Sequence, residues 1–122
     1  MTRILGGFMD TCLFCRIVKK DIPARFVYED ETAVVIGDIN PQAPFHFLVI
    51  PREHYEGIHM VPSDNVQFFD KMMITTVSFI KKEGLESKGY RLVINYGEKG
   101  GQTVPHIHIH ILSGRQMKWP PG

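Results

Sequence analysis

Between Val104 and Leu112 the chain alternates strictly, with His106, His108 and His110 in one phase and Ile107, Ile109 and Ile111 in the other. Such period-two alternation predicts a strand whose isoleucines enter the core while the imidazoles share the opposite face. Apolar runs bounded by turn residues predict four more strands. Phe26 to Glu29 and Thr32 to Asp38 form a hairpin around Asp30-Glu31, Phe45 to Pro51 follows with His46 as its odd polar member, and Tyr90 to Asn95 completes the set. A short helix is predicted from Thr11 to Lys20, closed by Asp21-Ile22-Pro23, and a long one from Ser63 to Lys82, with Ser63 or Asp64 as its cap and Gly84 as its stop. On the long helix Val66, Phe69, Met73, Val77 and Ile80 form one apolar stripe, and Phe68, Met72, Thr75 and Phe79 form a second beside it. One stripe suffices to dock a helix on a sheet. The added width predicts a face buried against a second subunit, with Phe68, Met72 and Phe79 at that contact. Five strands joined by turns, with two helices to one side, make an antiparallel α+β domain.

Bulk properties narrow the field. At 122 residues, 43% hydrophobic and 22% charged, the chain fits one soluble globular domain. Its net charge of +1 and the lack of any basic run longer than two residues give nucleic acid no electrostatic footprint, so a small anionic ligand must be held by local dipoles. The apolar patch from Ile4 to Met9 is shorter than a signal-peptide core, and no stretch is long and apolar enough to span a membrane. The expectation is a cytoplasmic protein without membrane or nucleic-acid partners, with residues 1–11 as an N-terminal extension and 12–122 as the domain.

A row of imidazoles has three readings: satisfied structural histidines, a metal site, or phosphorus chemistry in which one ring attacks and its neighbours bind phosphate oxygens. Alternate residues on a strand lie roughly 6.6 Å apart, which keeps three successive rings from converging on one ion whose ligands lie ~2 Å away. The two cysteines, Cys12 and Cys15, are too few for a disulfide framework. Their CxxC spacing reads as a redox pair, half a metal site, or packing at the start of a short helix.

The run His106 to Leu112 resembles the signature of the histidine triad superfamily of nucleotide hydrolases and transferases. The likeness extends to Asp38-Ile39-Asn40-Pro41-Gln42-Ala43-Pro44, to His46-Phe47-Leu48-Val49-Ile50-Pro51 and to Gly100-Gly101-Gln102-Thr103. Gly114-Arg115-Gln116-Met117 and Trp119-Pro120-Pro121-Gly122 are similar to the Hint branch, the histidine triad nucleotide-binding proteins. The resemblance implies a five-stranded sheet that pairs into a ten-stranded homodimer. It implies a purine nucleoside phosphoramidase that releases a nucleoside monophosphate from phosphoramidates or aminoacyl adenylates through a nucleotidyl-histidine, with no cofactor required. The alternatives are a dinucleoside polyphosphate hydrolase and a non-catalytic nucleotide- or protein-binding module.

On this resemblance His108 is the nucleophile, His110 donates to phosphate oxygens, and His46 and His106 complete the catalytic set. Gly101, Gln102, Thr103 and Asn95 approach the phosphate and leaving group, Asp38 takes the ribose, and Phe14, Ile17, Ile39 and Leu48 enclose the base. Trp119 shapes the leaving-group side across the dimer interface. Many Hint proteins lack the CxxC, but some other superfamily members bind structural zinc through two such cysteines and two histidines. Here that set is Cys12, Cys15, His46 and His106.

Overall fold

A computed structural model describes residues 11–122, so most of the expected N-terminal extension lies outside the described residues. The elements run α1 (Leu13–Val18), β1 (Phe26–Glu29), β2 (Ala33–Gly37), β3 (Phe45–Pro51), α2 (Gln67–Glu83), β4 (Tyr90–Val93) and β5 (Ile109–Ser113), with three short 3-10 turns between β3 and β4. The strands form one sheet in the order β1-β2-β3-β5-β4, and every neighbouring pair is antiparallel. This is the expected α+β fold with five strands and two helices.

The helices do not share a side, as the sequence had suggested. Along β2 successive side chains point to opposite faces. Ala33 and Val35 join Phe68, Met72 and Phe79 of α2, whereas Val34 and Ile36 join Phe14, Cys15 and Ile17 of α1. With one helix on each face, β2 is buried along its whole length. Alternation fades when both faces are covered, so its near-continuous apolar run carried no sign of which helix went where.

Two turns hold this arrangement. Asp30 closes the β1–β2 hairpin by accepting the amides of Thr32 (2.8 Å) and Ala33 (2.9 Å) through Oδ1, and its Oδ2 accepts the Thr75 hydroxyl of α2 at 2.6 Å. Gly84, at φ +66, ends α2 in the left-handed conformation, and its N–H reaches the carbonyls of Ile80 and Lys81. The start of α2 differs from expectation. A 3-10 turn over Ser63–Asn65 precedes the helix, and neither Ser63 nor Asp64 caps it.

The second apolar row of α2 docks on the sheet, joined by Ile80 and the partly buried Phe69 of the first. Phe68, Met72, Thr75 and Phe79 are buried in the core, whereas Val66, Met73, Ile74 and Val77 are exposed. A charge at Met72 therefore enters the hydrophobic core rather than a subunit contact. Met72→Lys should abolish cooperative unfolding, whereas Lys71→Ala, at an exposed position of the same helix, should leave it within about 1 kcal/mol of the parent, as read from denaturant curves.

Candidate functional site

The α1 face of the sheet carries the histidines, and the register sets their order. Leu48 pairs with His110 and His46 with Leu112, and β5 proper begins only at Ile109, later than its alternation implies. His106 and His108 are the extended approach to β5, anchored where the Ile107 amide donates to the Tyr55 carbonyl at 2.8 Å. His46 and His106 thus occupy one face but stand about six residues, roughly 20 Å, apart along the strand direction. They cannot bind one ion.

His54 takes the place expected of His46. Cys12 Sγ lies 3.3 Å from His106 Nδ1, Cys15 Sγ lies 3.4 Å from His54 Nδ1 and 3.6 Å from His106 Nδ1, and the two imidazole Nδ1 atoms are 3.0 Å apart. A tetrahedron around zinc, with bonds of about 2.0 Å to nitrogen and 2.3 Å to sulfur, has edges of roughly 3.3–3.8 Å. The four buried donors, all within 4.8 Å of one another, match that size and the borderline-soft chemistry of the ion. His106 Nε2–H donates to the Pro51 carbonyl at 2.8 Å, which turns the bare Nδ1 toward the cluster. Burial is the main cause that holds this ring down at about 3, hence neutral and able to ligate. Its side chain is therefore withdrawn from the catalytic set in which the sequence had placed it. His54 was missed because it lies off the strand period. Counting the β3–β5 register past Pro51 puts it just beyond the position opposite His106, and that would have found it.

The next ring is held by the backbone of the one before. His108 Nδ1–H donates to the His106 carbonyl at 2.7 Å, leaving Nε2 with its lone pair. Burial depresses this ring's affinity for protons, against the opposing pull of that carbonyl bond and of Asp38. The Phe14 ring packs edge-on against His108 at 4.8 Å between centroids.

His110 is reached from the other end. The Gln42 amide donates to His46 Nδ1 at 3.0 Å, which obliges a neutral His46 to carry its proton on Nε2. That proton faces His110 Nδ1 at 2.9 Å, with Asp38 Oδ2 at 3.4 Å, so His110 in turn carries its proton on Nε2. The same tautomer argues against a metal at Asp38, His46 and His110, although their donors are close enough, because His46 Nε2 has no lone pair to offer. Arg115 steadies the relay by donating through Nε to the Gln42 carbonyl at 2.9 Å.

A cavity of about 340 Å³ opens under α1, lined by Phe14, Ile17, Leu48, Asp38 and Thr103, with Ile39 at its rim, and Phe14 joins it to His108. Phe14, Ile17 and Leu48 are buried, whereas Ile39 is 99% exposed and takes no part in the core. Asp38 serves its turn as well, since Oδ1 accepts the Asn40 amide at 2.8 Å. The glycine-rich loop is less available than the sequence suggests. Gln102 uses both ends of its amide inside the protein, donating to the Glu56 carbonyl at 2.8 Å and accepting the Gly97 amide at 3.1 Å. Gly101, at φ +82, borders a different opening with Gln102 and Thr103, and Asn95 lies with Trp119 along β4 in a further one. Neither Asn95 nor Trp119 lines the cavity under α1.

Residues 19–117 match the HIT domain, and the chain belongs to that family. It is 46% identical over 112 residues to the 14 kDa zinc-binding protein of Zea mays, covering 90% of this chain and 87% of that one. The crystal structure of a HIT family hydrolase from Legionella pneumophila superposes with a TM-score of 0.87 at 46% identity, covering 92% of this chain and 100% of the other. A histidine triad nucleotide-binding protein from Candida albicans is more distant, with a TM-score of 0.76 and 28% identity over 90% of this chain and 83% of its own.

The buried rings make stability pH-dependent. His110 is held at about 4, against an ordinary 6.5, chiefly by burial and then by His108 and His46. The unfolded chain binds more protons between these values, so stability is complete above pH 6.5 and is lost as pH falls toward 4. The denaturant midpoint should fall over that window. His110→Asn should reduce the slope by at most ~1.4 kcal/mol per pH unit, less the solvent screening of a half-buried ring.

Proposed function

We propose that this HIT-family protein is a hydrolase of purine nucleoside monophosphate derivatives, phosphoramidates or aminoacyl adenylates, acting through a covalent nucleotidyl-His108. One observation carries the reading: His108 is locked in the tautomer that leaves Nε2 bare, and it packs against Phe14, which lines a largely apolar cavity together with Ile17, Leu48 and the Asp38 carboxylate. The base enters between Phe14, Ile17 and Leu48, and Asp38 meets the ribose diol. Nε2 attacks the α-phosphorus as the bond to the leaving nitrogen or oxygen breaks, and the departing group takes up a proton from solvent water. Water then attacks the phosphorus, the bond to Nε2 breaks, and the nucleoside monophosphate leaves with the ring restored. His110 Nε2–H stabilises the charge that develops on the nonbridging oxygens, a contribution worth several kcal/mol when the donor is fixed in advance. The Legionella hydrolase and the Candida nucleotide-binding protein support the class of reaction and ligand.

Placement in the Hint branch belongs to the same reading. Arg115, from the Gly114-Arg115-Gln116-Met117 motif, supports it by tying that motif to the Gln42 loop. Pairing into a homodimer is supported by the exposed Val66, Met73, Ile74 and Val77 of α2. Trp119, 82% exposed, is then free to serve the leaving-group side of a neighbouring copy.

His108→Ala should leave nucleotide affinity within about tenfold but lower turnover of an adenosine phosphoramidate by at least ~10³, measured as AMP release. Near-normal turnover would rule out the covalent route.

We also propose that Cys12, Cys15, His54 and His106 hold a structural zinc, with the maize relative's zinc-binding description in support. Bound there, the ion supplies a cross-link between α1 and the approach to β5. The purified protein should carry about one zinc per chain and lose thermal stability to a chelator. His54→Ala should abolish the metal and His46→Ala should retain it, as read by elemental analysis.

A further inference from the structure

The α1 helix carries half of the cysteine–histidine cluster and one wall of the cavity. Cys12 is its N-cap and Cys15 lies in its first turn, and both sulfurs are buried against His54 and His106 with no disulfide between them. Phe14 stands between the two cysteines in sequence, meets His108 edge-on and, with Ile17, lines the cavity. Whatever moves the sulfurs therefore moves the wall.

Spacing makes the two sulfurs partners for each other as well as for a metal. The Cys15 amide reaches Cys12 Sγ at 3.4 Å, which sets both thiols on one side of a single helical turn. Sulfurs that share a zinc tetrahedron stand roughly 3.8 Å apart, whereas a disulfide closes to about 2.0 Å. Closing that bond tightens the chain on either side of Phe14. Disulfide sulfurs also have no thiolate charge to offer a metal, which leaves His54 and His106 as two ligands where there were four. Access follows from the size of the element. Six residues are too few to persist alone, and Leu13 and Arg16 already face solvent, so local opening of α1 exposes the thiols.

From this arrangement, and resting on the zinc and nucleotide readings above, we propose that Cys12 and Cys15 form a redox switch, thrown by a peroxide, that couples the metal cluster to the nucleotide cavity. One thiolate attacks a peroxide oxygen, the O–O bond breaks and hydroxide leaves, giving a sulfenic acid. The second thiolate attacks that sulfur, the S–O bond breaks with loss of another hydroxide, and the Cys12–Cys15 bond forms. Two protons from solvent convert the hydroxides to water. The sulfur pair is oxidised by two electrons and the peroxide is reduced by two. With its thiolates gone the cluster gives up its metal, α1 loosens and nucleotide binding weakens.

The full chain, purified with its zinc under reducing conditions and then treated with hydrogen peroxide, tests the switch. Zinc is read by a chromogenic chelator, the cross-link by mass spectrometry of the peptide that spans Cys12 and Cys15, and AMP binding by calorimetry. Oxidation should release about one zinc per chain, remove two hydrogens from that peptide and weaken AMP at least ~tenfold. Dithiothreitol with added zinc should restore all three. Zinc held throughout, or released with sulfinic acids in place of the disulfide, would overturn the switch while leaving the zinc reading intact. A disulfide that leaves AMP affinity unchanged would overturn the coupling to the cavity. Reduced protein that takes up no zinc would sink the zinc reading and the switch together, and zinc-loaded protein that binds no AMP would sink the nucleotide reading and the coupling.

Discussion

The site depends on how one buried imidazole is satisfied. His106 is fully enclosed, and an imidazole without partners at that depth would be costly. Its Nε2–H is committed to the Pro51 carbonyl, its Nδ1 faces two sulfurs and a second imidazole, and its own carbonyl takes the proton of the next ring in the row. One residue therefore orients the cysteine–histidine cluster through its side chain and the candidate nucleophile through its main chain. The short α1, too brief to persist alone, borrows its placement from the same cluster and sets Phe14 against His108.

From the opposite end the row is fixed by a backbone amide. The Gln42 N–H sets the tautomer of His46, and that sets the tautomer of His110, so a proton's position is transmitted through two rings without any group changing charge. Desolvation favours the neutral form of these rings, which suits the nucleophilic role proposed for His108. Arg115 supplies the cation at a distance, bound to a carbonyl of the loop rather than to the rings themselves.

Most of the fold was legible because period-two and period-three-to-four patterns are local. The first three strands fell within one residue of their expected bounds, whereas β5 starts five residues late because its approach through Pro105 and His106 bends before it pairs. What escaped the sequence was relative position. Periodicity tells which face a histidine shares but not how far along the strand it stands, so His46 was paired with cysteines that lie at the other end of the sheet, and His54, in a loop with no period, was passed over. Likewise a helix with a wide apolar arc does not announce which half docks, and α2 buried Met72 while exposing Met73 and Ile74.

The sheet separates neighbours in sequence into different environments. Val34 and Val35 are adjacent and both wholly enclosed, yet one belongs to the histidine side with α1 and the other to the α2 side. Substitutions that share no partners tend to combine without interference. The backbone plane of β2 thus acts as a partition, so a change of side-chain volume on the α1 side leaves the packing against α2 in place.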